Sequence, residues 1–226
     1  VTVTTANLAP TGLDFATGAT VFGVEYHTAA DFLADGLSMS FSASTDNGAA
    51  AGTTYKNDGH LALGGTYVTD MGDSAVTIGF GLSETEGSTN GTSPSTEEGG
   101  MHIGVSAVTG DLTVALGFAA GDHLGATTAG TPDRELDSEV LKAGLKYVSG
   151  DLTFNVGVAS GTTKDGAFGT PGTTEDSQDV TSASVSYAVA SGVTAILGYT
   201  TVDSANAGAN DDTDGSAWYI GANMSF

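Results

Sequence analysis

Cysteine is absent from this sequence, which excludes disulfide staples and thiolate metal sites alike. Proline is scarce at 4 residues, so long extended segments can run without the interruption that its missing N–H would cause. Cations are scarcer still for the length. There are 5 Lys and Arg against 27 Asp and Glu, a formal charge of −22, the wrong sign for a nucleic-acid partner. No apolar run approaches the roughly 20 residues of a membrane helix. No secretory leader pattern opens the sequence and its first residue is Val1, so it reads as processed or as part of a longer chain.

What is present is glycine (34 residues) with abundant Thr, Ser, Ala and Val, a composition suited to strands and turns. Four segments recur at a step of forty residues: "YVTDMGDSAVTIGFGLS" from Tyr67, "AVTGDLTVALGFAAG" from Ala107, "YVSGDLTFNVGVASG" from Tyr147 and "YAVASGVTAILGYT" from Tyr187. A fixed period means one structural unit used repeatedly. Within the unit, Leu141, Ala143, Leu145 and Tyr147 alternate with other residues up to "VSGD", a tight-turn signal. Beyond it, Leu152, Phe154, Val156 and Val158 alternate with Thr153, Asn155, Gly157 and Ala159. Period two predicts strands with one apolar face, and therefore a series of hairpins.

Carried through the chain, this pattern predicts eleven strands at about 20–27, 37–45, 60–68, 74–84, 101–108, 111–121, 138–148, 151–161, 179–189, 193–202 and 216–226. Most match the 9–11 residues that a tilted strand needs to cross a bilayer. Tight turns alternate with long connections near 46–59, 85–100, 122–137, 161–178 and 203–215, which hold sixteen of the acids beside only Lys56, Arg134 and Lys164. The face opposite the apolar one is small and nearly uncharged, as at Ser38, Ser40, Ser42 and Ser44. A sheet in water would carry charge on that face and cover the other with a second layer. Charge confined to loops and strand ends fits a bilayer, where an ionised group facing hydrocarbon costs several kcal/mol near the midplane. The expected fold is all-β, a transmembrane antiparallel up-and-down β-barrel. A secreted soluble sandwich or solenoid is the competing reading.

The hairpins "VSGDLTFNVGVASG" and "VTGDLTVALGFAAG", with a last strand ending in Phe226, give the chain its resemblance to general-diffusion porins of the alphaproteobacterial (Rhodobacter-type) outer membrane. Residues 7–44 resemble the place where such porins leave an inward constriction loop and resume strands. The resemblance implies a sixteen-stranded barrel, usually a homotrimer, passing small polar solutes across the outer membrane of a Gram-negative bacterium. It also implies contact with membrane lipid and lipopolysaccharide, and reading of Phe226 by the outer-membrane assembly machinery. On this basis residues 1–19 are the tail of the constriction loop and 20–226 are barrel strands. Eleven strands is an odd count where bacterial barrels have even ones, so further strands are expected to precede Val1, and the resemblance implies that there are five. A plugged structural or anchoring barrel is the alternative within the same fold.

The candidate pore-lining residues are Asp14, Glu25, His60, His102, Lys142, Lys146, Asn155, Tyr219 and Asn223. Lys142 and Lys146, four apart on one strand face, are the first choice for a positive wall patch. Tyr26, Tyr67, Tyr147, Tyr187, Trp218 and Phe226 are the expected aromatic girdle. "NDDTDG" sets Asn210, Asp212 and Asp214 at the spacing that opens a calcium loop, but Gly221 stands where the closing Glu belongs, leaving a weak calcium candidate and no other cofactor. "NGT" and "NMS" match the glycosylation sequon by chance. The scattered His27, His60, His102 and His123, and the lack of a nucleophile elbow, predict no catalytic residues and no enzyme.

Overall fold

A computed structural model describes residues 23–31, 33–45, 55–89, 96–126, 132–167, 170–205 and 212–225. Eleven strands follow in order: β1 (Gly23–His27), β2 (Leu37–Thr45), β3 (Tyr55–Met71), β4 (Ser74–Thr89), β5 (Thr96–Thr109) and β6 (Leu112–Ala126). β7 (Pro132–Ser149), β8 (Leu152–Ala167), β9 (Thr170–Ala190), β10 (Val193–Ala205) and β11 (Thr213–Met224) complete them. They form one sheet in the order of the sequence, and every neighbouring pair is antiparallel. This is the predicted up-and-down meander.

The tight turns are closed by glycines with left-handed backbone, Gly72, Gly110, Gly150 and Gly192, at φ between 54° and 77°. An L side chain there would crowd the backbone. Successive units are tied by the turns themselves. The Asp111 carbonyl accepts the Val148 amide, the Asp151 carbonyl that of Ala188, and the Gly192 carbonyl that of Ser225, each at 2.9 Å. The forty-residue period therefore has a physical counterpart, a repeated bond from each turn to the next hairpin.

Strand boundaries differ from the sequence expectation mainly at the long-connection end. β3 begins at Tyr55 rather than 60, and β9 at Thr170 rather than 179. The ladder of backbone hydrogen bonds continues past the apolar alternation, through polar positions such as Gln178 and Ser204 that are paired across β9 and β10. The hairpins thus project beyond the length a bilayer requires.

No hydrophobic core forms among the described residues. The buried apolar residues are Ala62 and Ala115, and no large side chain is fully buried. Instead, large apolar side chains lie exposed in register on one face. One cross-strand line runs Ile78, Val105, Leu116, Ala143, Val158; the next runs Phe80, Ile103, Phe118, Leu141. Ile103 is 54% exposed, Leu116 51% and Leu141 59%. A soluble sandwich would bury these side chains between two layers. One layer with its apolar face bare is the arrangement a lipid solvent requires.

Candidate functional site: the small-residue face

Because partners directly opposite in an antiparallel pair share a face, the register assigns each candidate to a side. Glu25, His60, His102, Lys142, Lys146, Asn155, Tyr219 and Asn223 all fall on the face opposite the apolar lines. Asp14 lies outside the described residues. The face is built of small groups. The line through Lys142 reads Ser38, Thr66, Gly79, Gly104, Gly117, Lys142, Ala159 from β2 to β8. It is not uniformly polar, since Val140, Val180, Ile196 and Val202 also occupy it.

The structure gathers the candidates into separate groups. Toward one edge, the His27 Nε2 stands 2.8 Å from the Glu25 Oε1. His27 shares its line with Ser40, Gly64, Gly81 and His102. The His102 ring lies over Gly81, where a Cβ would collide with it. A hollow of about 280 Å³ lies along this line between His27 and His102. Sequence reading left His27 among the scattered histidines. Its spacing of two from Glu25 was the signal that both share a face. His60 sits apart, its Nδ1 2.6 Å from the Thr85 hydroxyl.

Toward the other edge, Lys146 pairs with Thr113 on β6 and Asn155 on β8. The same line continues to Ser184, Gly198 and Tyr219. The Asn155 Nδ2 donates to the Ser184 hydroxyl at 3.3 Å. Tyr219 reclines over Gly198, whose missing side chain leaves room for the phenol.

On the apolar face, Tyr26, Tyr67, Tyr147 and Tyr187 sit near the tight-turn end, with Tyr26, Tyr147 and Tyr187 exposed. Trp218 lies on the same apolar face. It lies in the middle of β11 against Tyr199, ring centroids 4.5 Å apart, because the register of β10 and β11 sets it well back from the tight-turn rim. Phe226 and Asn210 lie outside the described residues. Asp214 is part of β11, directly opposite Asp203. Among the described residues no group of three or more His, Asp or Glu could hold a metal.

Comparison with known proteins decides between lipid and water. The family model described as Gram-negative porin matches residues 2–204. The chain belongs to the Gram-negative porin family. The family's location is the outer membrane, which the bare apolar face requires. The porin is also similar in fold to the outer-membrane channel DcaP of Acinetobacter baumannii, at a TM-score of 0.65 and 11% identity over 97% of this chain and 68% of that one. It is similar to the trimer form of OmpT, an outer-membrane protein of Vibrio cholerae, at 0.52 and 16% over 89% and 64%. A porin refined at 1.8 Å matches at 0.54 and 17% over 89% and 60%. The chain therefore spans 62% of the length of an OmpT loop-deletion variant from Vibrio cholerae and comparable shares of the others. No match was found among curated protein sequences.

Proposed function

We propose that this porin forms part of the wall of a water-filled outer-membrane channel through which small hydrophilic solutes and ions diffuse passively, without catalysis. The observation that carries the reading is the absence of any core among the described residues: large apolar residues are bare on one face, while the other is mostly Gly, Ser, Ala and Thr. Small residues leave a lumen open, whereas a plugged barrel needs bulk to fill it. The two outer strands, β1 and β11, each pair on one side only among the described residues, and an unpaired edge in lipid costs several kcal/mol per group. The eleven strands accordingly contribute to a larger closed barrel, sixteen-stranded and of the alphaproteobacterial type, with the hairpin resemblance as its support.

The trimer form of the Vibrio OmpT supports a homotrimer here. Acids at the long-connection end give the mouth a mild cation preference, screened by salt. Divalent ions bridging that end to lipopolysaccharide belong to the same proposal. Protease protection that disappears on chelation supports them, and unchanged protection contradicts them. Assembly through Phe226 is tested by deleting it and following insertion.

Planar-bilayer conductance of the intact porin, with solute-driven swelling of liposomes, tests the channel. Stepwise ohmic insertions with glucose-driven swelling are expected. A folded, inserted protein that neither conducts nor swells overturns the reading in favour of a structural barrel.

A further inference from the structure

Lys142 and Lys146 carry the candidate face's uncompensated positive charge. They are about 13 Å apart along β7, at four residues of roughly 3.3 Å rise. Their cross-strand neighbours are Gly117 and Ala159 for the first, and Thr113 and Asn155 for the second. Among the described side chains, no carboxylate lies on this face of β6, β7 or β8. The ion pairs seen are elsewhere, at Glu25–His27 and, on the opposite face, Lys164–Glu175. In a chain of charge −22, two lysines with small neutral cross-strand neighbours and no carboxylate paired to them among the described residues stand out.

The line through Lys146 adds directional chemistry. Asn155 and Ser184 follow it on the next two strands and are bonded to each other, so the hydroxyl and the rest of the amide form one polar rung. One strand further, Gly198 is covered by the Tyr219 phenol, which leans from β11 over β10 and brings its hydroxyl above Gly198. Strands are about 4.8 Å apart, so charge, amide, hydroxyl and phenol succeed one another at regular short steps. Counted from the tight turns, the line begins next to the Gly110–Asp111 turn at Thr113 and climbs to the middle of β11 at Tyr219. It crosses the wall obliquely, and a solute moving along the pore passes its rungs in turn.

We propose that Lys146, Asn155, Ser184 and Tyr219, with Lys142 above them, form a subsite for a small, singly charged, hydroxylated anion of the sugar-acid class. The carboxylate meets a lysine, hydroxyls exchange hydrogen bonds with the amide and serine, and the carbon skeleton rests on the phenol face. Charge-assisted bonds to lysine provide the strongest contacts. The acidic mouth repels multiply charged anions more strongly than singly charged ones, which narrows the class. The proposal rests on the channel reading.

The test uses the intact porin in planar bilayers, with sodium gluconate as the charged probe and glucose as its neutral counterpart at matched osmolarity. Gluconate is expected to interrupt or reduce the single-channel current at concentrations where glucose does not. The K142Q/K146Q double variant should weaken that effect about tenfold. Lys146→Arg should retain most of it. Tyr219→Ala, which leaves the charges in place, should weaken it less than the lysine pair does. Equal effects of gluconate and glucose, or an undiminished gluconate effect in K142Q/K146Q, overturn the subsite and leave the channel intact. A protein that inserts but never conducts overturns the channel reading, and the subsite with it.

Discussion

The two faces of this sheet share one backbone and one set of hydrogen bonds, yet they follow opposite rules. On the apolar face, adjacent strands set bulk beside bulk, as at Leu112, Tyr147, Phe154, Val185, Leu197 and Ile220. On the other, one side chain commonly reclines in space that a glycine leaves, as His102 does over Gly81 and Tyr219 over Gly198. The first face needs area in contact with a non-polar solvent, and clearance enters only locally, as where Phe80 lies over Gly65. The second needs clearance and polar groups, so a single added carbon matters. The comparison predicts that a charge is expensive on one side and cheap on the other, and that volume behaves the other way round.

The largest expected effect is on the apolar face. Leu116→Arg, four residues along β6 from its tight-turn end on the apolar face, should destabilise the inserted protein by about 2–4 kcal/mol. Ser182→Arg on the opposite face, paired with the neutral Gly157 and Thr200, should leave stability nearly unchanged and alter conductance instead. Urea unfolding in lipid vesicles, read by heat-modifiable gel mobility, checks the pair. Similar costs at both sites would erase the difference between the faces.

Next comes volume. Gly198→Val must displace the Tyr219 phenol and should cost about 1–3 kcal/mol, as overpacking does. Gly221→Val on the same face of β11 meets open space and should be neutral or slightly stabilising. The same unfolding measurement checks both, and equal behaviour would show that the phenol's position is not fixed by Gly198.

A smaller effect should follow from Trp218→Ala. It removes the ring contact with Tyr199, which is expected to contribute about 0.5–1.5 kcal/mol beyond area. The smallest concerns Asp179, Asp203 and Asp214, which stand directly opposite one another on β9, β10 and β11. Like charges so placed are unfavourable, and Asp203→Asn should stabilise by about 0.2–1 kcal/mol at low salt. The gain should shrink as salt is raised. A gain that is insensitive to salt would point to packing rather than charge.

Strand number, strand order and the side each residue occupies were legible in the sequence, because alternation has a period of two and a register error would reverse every face at once. The ends of the strands were not. From Thr173 to Asp179 the residues are polar on both sides, so nothing in their pattern marks a strand, although the ladder to β8 holds most of them in place. Lys146 and Asn155 were legible as members of one face, but their pairing with each other depends on register across the Gly150–Asp151 turn. The contact of Tyr219 with Gly198 was hidden for the same reason, since glycine in a strand gives no sign of what lies over it. The distance of Trp218 from the tight-turn rim was hidden as well, because aromatic character alone does not say how far along a strand a residue stands. The acids of the calcium-like stretch show a loop pattern by spacing, yet Asp214 is held by the β10 ladder.

The lack of cysteine makes one measurement especially direct. Single cysteines placed in turn at Asn155, Val156, Gly157, Val158 and Ala159 of β8 can be labelled in the membrane-inserted porin with a charged, membrane-impermeant thiol reagent. The account predicts rapid labelling at 155, 157 and 159 and slow labelling at 156 and 158, with a nitroxide lipid quenching a fluorophore only at the latter pair. Uniform labelling along β8, or quenching at 155, 157 and 159, would contradict the claim that the small-residue face borders water and the apolar face borders lipid.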